Sequence, residues 1–221
     1  MTFSTHPTHN LDTTTLVRVG ILAAPVAGAL KLVGNLGTFN SIGYGIPQTS
    51  EATIASGPGF LIGELVGSTL PTVLTPFWVI ALYAYLAISG SRRILTAAMT
   101  CCLIGAGFTL AALGVINYAI PALAQAYQAG QPAAMDIADS FFTWPRGAMF
   151  YPAILVPLGS VLFAAAMWRS RAIPRTVAAL FAVATVLISA PGPIHTLHLA
   201  GGVLTLATGL WIAHTIRRQP S

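Results

Sequence analysis

Seven side chains bring polar or ionisable chemistry into otherwise apolar runs: Lys31, Asn35, Glu64, Asn117, Arg146, His195 and His198. An ionisable group held in hydrocarbon costs roughly 2.5 to 3.5 kcal/mol on insertion scales, so such groups face a bundle interior or a wet cavity, or reach for the headgroups. Counting about 1.5 Å per residue from the expected helix ends puts Glu64 roughly 8 Å below the outer boundary and Lys31 in the outer half of its helix. Asn35, Asn117, Tyr118, Arg146, His195 and His198 fall on the same side, with Asp136 and Asp139 in the segment above. Together they describe an outward-opening polar pocket. The competing account has Lys31 and Arg146 snorkelling to headgroups while Glu64 and the histidines satisfy one another.

The chemistry open to this set is acid and base work. Burial would raise the proton affinity of Glu64 and suit it to act as a general acid, with His195 and His198 as its acid or base partners. The two histidines are three residues apart on one helix and could reach one metal, with Glu64 or Asp139 completing a site. Such pairs also arise as ordinary polar packing, and no metal is expected. Axial ligation of one haem needs histidines on opposite faces, and His214 lies at the other membrane side, so no cofactor is expected.

The elements that must position these groups follow from composition. The chain has 221 residues, 55% of them hydrophobic and 7% charged, far below the roughly one quarter charged of a soluble domain. Its formal charge of +5 comes from basic residues scattered between apolar runs, which excludes a nucleic-acid-binding face and leaves topology signals. Cys101 and Cys102 are adjacent in an apolar run, which offers neither a disulfide framework nor zinc-knuckle spacing. No phosphate loop, His-Glu-x-x-His helix or Gly-x-Ser-x-Gly elbow is present. Residues 1–15 read as a polar, disordered tail that includes His6 and His9. No Lys or Arg precedes the first apolar run, as a cleaved signal peptide would require.

The hairpin 148–190 fixes the topology, because two apolar runs flank the basic turn Trp168-Arg-Ser-Arg-Ala-Ile-Pro-Arg175. Read against it, the chain is an all-α polytopic transmembrane bundle of six helices, about 16–36, 60–88, 94–120, 148–168, 173–190 and 194–216. Both termini are cytoplasmic, 217–221 being a short tail, and the location is a cell membrane. The 37–59 and 122–145 segments lie outside, the first with one short helix near Ser50. Pro71 and Pro76 predict a kinked second span, and Pro191-Gly-Pro193 a tight link before the last. Eight of the ten basic residues then sit at cytoplasmic ends, Lys31 and Arg146 excepted.

Each span carries a stripe of small and polar residues at helical spacing, expected to face inward. Gly20, Ala24, Ala27, Lys31 and Asn35 form the first, and Glu64, Gly67, Ser68, Pro71 and Thr75 the second. Ala153, Pro157, Ser160 and Ala164 mark the fourth span, and Ala178, Ala182, Thr185 and Ser189 the fifth. His195, His198, Gly202, Thr205 and Gly209 mark the sixth.

Pro157-Leu-Gly159 followed by Arg169-Ser-Arg-Ala-Ile-Pro-Arg175 resembles the corresponding hairpin of the DUF4386 family of small bacterial integral membrane proteins. The resemblance is specific over about 150–187. It implies a six-helix membrane fold and assigns no catalytic residues.

Three functions stay open. The first is binding or transport of a small or lipid-like ligand in the pocket, served by the helix irregularities at Pro71, Pro76 and Pro157. The second is a membrane-embedded enzyme working on an apolar lipid or isoprenoid substrate through Glu64 and His195 or His198. The third is a structural subunit whose small-residue stripes bind another membrane protein.

Overall fold

The structure is a computed structural model that describes residues 13–36, 48–88, 91–189 and 195–218, apart from the side chains of Thr13, Thr14, Leu36, Met149 and His195. Most of the N-terminal tail, residues 37–47, the start of the Ser89–Arg93 turn, the Pro191–Pro193 link and residues 219–221 lie outside the described residues. Within them every regular element is helical.

Five helical runs are long and apolar enough to cross a membrane: Thr15–Asn35, Pro58–Leu86, Arg92–Gln128, Arg146–Ser170 and Thr196–Arg218. The sixth expected span is α10 (Arg175–Ile188), which is apolar but has 14 residues. At about 1.5 Å per residue it rises roughly 21 Å, short of a ~30 Å hydrocarbon core.

Prolines decide where the runs depart from ideal helix. Pro25 cannot donate to the Ile21 carbonyl, and the first run divides into α1 (Thr13–Gly20) and α2 (Ala23–Leu36). A tightened turn joins them, in which Leu22 N donates to Val19 O and Ala24 N to Ile21 O. The second run is α4 (Pro58–Glu64), a π turn Leu65–Thr69, and α5 (Leu70–Leu86). The third is α6 (Arg92–Gly114), a π turn Val115–Ala119, and α7 (Ile120–Gln128). Each π turn ends two residues before a proline, Pro71 or Pro121. Leu70 N reaches back to Leu65 O and Ile120 N to Val115 O, a widened turn in which the proline ring fits without breaking the helix.

The third run therefore does not stop near Pro121, as the sequence suggests, but continues to Gln128. At about 1.5 Å per residue its 37 residues span roughly 55 Å, well beyond one bilayer core. The 122–145 segment, expected as an external loop, is largely helical: the end of α7 and then α8 (Ala133–Ser140). With α3 (Gln48–Ala55), the helix expected near Ser50, they form a small cap around Ala52, Ala55, Ile120, Ala124, Met135 and Ala138. The fourth run starts as a 3-10 helix, Arg146–Ile154, and becomes α9 (Leu155–Ser170). Pro152 and Pro157 each withhold an amide donor there, which favours the tighter ladder over a regular α start.

The long helices close a ring. α2 packs on α5, α5 on α6, α6 on α9, α9 on α10, α10 on α11 (His195–Arg218), and α11 returns to α2. Chain reversals put Arg18, Arg92, Arg93, Arg169, Arg171, Arg175, Arg217 and Arg218 at one end, called here the basic end. Arg171 takes a left-handed conformation (φ 57°) that turns the chain after α9. Arg175 lies 5.3 Å from the Trp168 ring centroid across that turn. Glu51, Asp136 and Asp139 stand at the other, acidic end. The main core fills the basic half and includes Leu82, Leu86, Leu95, Phe163, Met167 and Ile212.

Candidate functional site

Above that core, toward the acidic end, the ring encloses a cavity of about 700 Å³, within the ~300 to 1,000 Å³ range of ligand pockets. All six long runs contribute to its wall. α2 gives Ala24, Ala27 and Lys31, α5 gives Pro71, Thr72, Thr75 and Trp78, and α6 gives Thr109. The 3-10 start of the fourth run gives Tyr151 and Ile154, α10 gives Phe181 and Thr185, and α11 gives Thr205.

Trp78 makes the floor. Its ring meets Phe163 edge-on at 6.3 Å and Phe181 at 5.6 Å, arrangements worth about 0.5 to 1.5 kcal/mol beyond their contact area. Phe163 is fully buried beneath it. At the rim, Tyr151, Ile154 and Ser189 are exposed. The cavity is thus sealed toward the basic end and bordered by accessible side chains at the other.

Lys31 lies half-buried on the wall. A close backbone approach between α2 and the π turn Leu65–Thr69 brings it toward Glu64: a methyl group at Gly34 would collide with the Gly67 backbone. The charges of Lys31 and Glu64 act on each other, yet no ion pair within 4.0 Å forms between them. Glu64 is not part of this cavity's wall, and the Ser68 hydroxyl is its hydrogen-bonding neighbour. Asn35 Nδ2 donates to the Lys31 carbonyl at 2.7 Å.

The remaining candidates are dispersed. Asn117 is 4% exposed and sits in the second π turn, donating from Nδ2 to Thr69 Oγ1 of the first at 2.8 Å. Its Oδ1 is buried with no partner among the described residues. Arg146 is exposed, and its guanidinium donates to Ser140 Oγ on the cap. It is not on the cavity wall. His198 is half-buried on α11 and also off that wall, while the His195 side chain lies outside the described residues. Among the described residues no group of three or more His, Cys, Asp or Glu could hold a metal. Cys101 and Cys102 are free thiols, the second fully buried.

The stripes mostly turn inward. Ala24, Ala27, Gly67, Pro71, Thr75, Pro157, Ser160, Ala178, Gly202 and Gly209 are buried, Gly20 is half-buried, and Ser189 is exposed. Sequence inspection passed over Trp78, Phe181, Tyr151 and Thr109 on the wall, and Thr69 as the partner of Asn117. The prolines signalled irregular helix at both places, but not the bond between Thr69 and Asn117.

No protein-family model matches the chain, and neither a curated protein nor a solved structure matches it.

Proposed function

We propose that the chain is a multi-pass integral membrane protein whose central cavity binds or moves a small or lipid-like ligand. The observation that carries this is the cavity of about 700 Å³ walled by every long helix, with one lysine on its side and an aromatic floor. A structural subunit would use its small residues on an outer face, whereas here they are spent inside the ring. No observation favours the acid–base enzyme, since Glu64 is off the wall on which a substrate would rest.

In the proposed topology α10 is the sixth, thinner span, both termini are cytoplasmic, and the cavity opens outward. The charge division supports this, with eight of ten basic residues at one end. The DUF4386 resemblance of the hairpin adds the same six-helix arrangement and no residue roles. Reporter fusions at Ser91 and Ser221 are expected to report the same, cytoplasmic side; opposite sides would defeat the topology.

The binding function is tested by purifying wild type and Ala153→Phe from one membrane source and comparing co-purified small molecules by mass spectrometry. Ala153 is on the wall, and a phenyl group there would occupy part of the cavity and narrow it. A species present in wild type and depleted in the variant is expected. Identical inventories in both would count against ligand binding.

A further inference from the structure

We propose that the cavity takes an anionic amphiphile, a hydrocarbon body with a single carboxylate or phosphate head, and that the Lys31 ammonium is its charge partner. This rests on the ligand-binding function above and names the ligand's chemistry.

Among the described residues that line the cavity, Lys31 is the one charged side chain. Its ammonium makes no hydrogen bond or ion pair with any described residue, and a charge facing an apolar wall without a partner is costly. Of the other polar wall groups, the Tyr151, Ser189 and Thr205 hydroxyls and the Trp78 Nε1–H are neutral donors, and four threonine hydroxyls are already committed. Thr72 donates to Ser68 O at 2.7 Å, Thr75 to Pro71 O at 3.3 Å, Thr109 to Gly105 O at 2.8 Å and Thr185 to Phe181 O at 2.7 Å. A hydroxyl has one proton, so these four present methyl groups and lone pairs to a ligand.

An anion entering the cavity therefore meets one strong, charge-assisted donor. Its body meets Trp78, Phe181, Ile154, Val156 and Pro157. A cationic ligand would face Lys31 directly, and a neutral one would leave the ammonium unmatched. Glu64, beyond 4.0 Å and off the wall, offsets part of the lysine charge from outside and competes with the ligand for it.

Trp78 provides the readout. The other three tryptophans, Trp144, Trp168 and Trp211, are exposed, so replacing them with Phe leaves fluorescence reporting from the cavity floor. In lipid nanodiscs this variant is titrated with terminally brominated dodecanoate, dodecyl phosphate and dodecanol, whose bromine quenches indole at close range. Saturable quenching by the acid or the phosphate is expected, about tenfold tighter than by the alcohol, and the tighter of the two identifies the head.

Lys31→Met is expected to bring the anions to the level of the alcohol and to leave the alcohol unchanged. Lys31→Arg is expected to retain the preference, and Glu64→Gln to strengthen anion binding a few-fold; these two keep the test decisive should Lys31→Met fail to fold. Equal quenching by alcohol and anions, or anion binding indifferent to Lys31 and Glu64, overturns the proposal and leaves the ligand cavity standing. Absence of saturable quenching by all three probes, or quenching untouched by Ala153→Phe, overturns the cavity function itself.

Discussion

At the basic end Leu82, Leu86, Leu95, Met167, Ile173 and Val177 are each 1% exposed or less, and α5, α6, α9 and α10 run there as regular helix. At the acidic end the same ring holds two π turns, a 3-10 helix, buried Asn35 and Asn117, and a cavity. The difference follows from where the prolines lie. Pro71, Pro121, Pro152 and Pro157 sit in the upper half of the ring, where each removes an amide donor and opens the ladder around it. The space left above Trp78 is the cavity. Below Trp78, α5, α6, α9 and α10 pack without such interruptions.

The largest expected effect is in the sealed half. Phe163→Ala removes a fully buried ring from beneath Trp78 and is expected to cost about 3 kcal/mol. Tyr151→Ala at the cavity rim, where the side chain is exposed, should cost less than about 0.5 kcal/mol. Reversible unfolding in mixed micelles measures both, and equal losses would erase the contrast between the two halves.

Next is Gly34→Ala, which sets a methyl against the Gly67 backbone. The expected loss is about 2 kcal/mol, and Lys31 and Glu64 should move apart. Gly107, whose added methyl would meet nothing within 4 Å, is the control, and Gly107→Ala should be neutral or slightly stabilising. Thermal unfolding of the pair would test whether close backbone approach holds α2 against the π turn Leu65–Thr69.

A smaller effect is expected from the charges. Lys31→Met strands the Glu64 carboxylate, so it should destabilise more than the double change Lys31→Met with Glu64→Gln, with a coupling of about 1 kcal/mol. Simple additivity in the double-mutant cycle would show that the two charges do not share an environment.

The smallest concerns the cap. Burial first, and the Asp139 carboxylate second, hold the Glu51 carboxyl above its usual range. A raised carboxyl pKa means that the folded form holds the proton more tightly than the unfolded one. Its contribution is therefore complete below the ordinary carboxylate range and is lost as pH rises through the raised value. Amide exchange of α3, corrected for intrinsic rate, should quicken with pH across that interval. Glu51→Gln should flatten the response, and an unchanged pH dependence would remove Glu51 from the explanation.

Much of the ring was legible because apolar runs broken by basic turns have little freedom in length or direction, and small residues at helical spacing mark the faces that touch. Ala24, Gly67, Pro157 and Gly209 were readable for that reason. The cap was not. α3 and α8 bury only a few small residues each, Ala52 and Ala55 or Ala134, Met135 and Ala138, within stretches whose Gly, Ser, Pro and acidic content reads as loop. Pro71 and Pro121 announced irregularity without its form, since a proline is accommodated by a kink, a break or a widened turn according to what packs against it. The Thr69–Asn117 bond joins residues 48 apart in sequence, and no local pattern reveals it. Lys31 and Glu64 read from the sequence as facing one interior space; their charges act on each other, but only Lys31 lies on the cavity wall, and side-chain direction is not fixed by helical spacing alone.

Side-specific thiol labelling tests the central claim, a cavity reached from the acidic end and sealed toward the basic end. In a Cys101→Ser, Cys102→Ala background, single cysteines at Thr185 on the wall, Gln131 beside the cap, Ser91 at the basic end and Ala166 in the sealed core are exposed to a membrane-impermeant maleimide. Vesicles of both orientations are used. Thr185→Cys is expected to label only from the side that labels Gln131→Cys, and Ala166→Cys from neither. Labelling of Thr185→Cys from the side that labels Ser91→Cys, or protection of Thr185→Cys from both sides, would contradict the account.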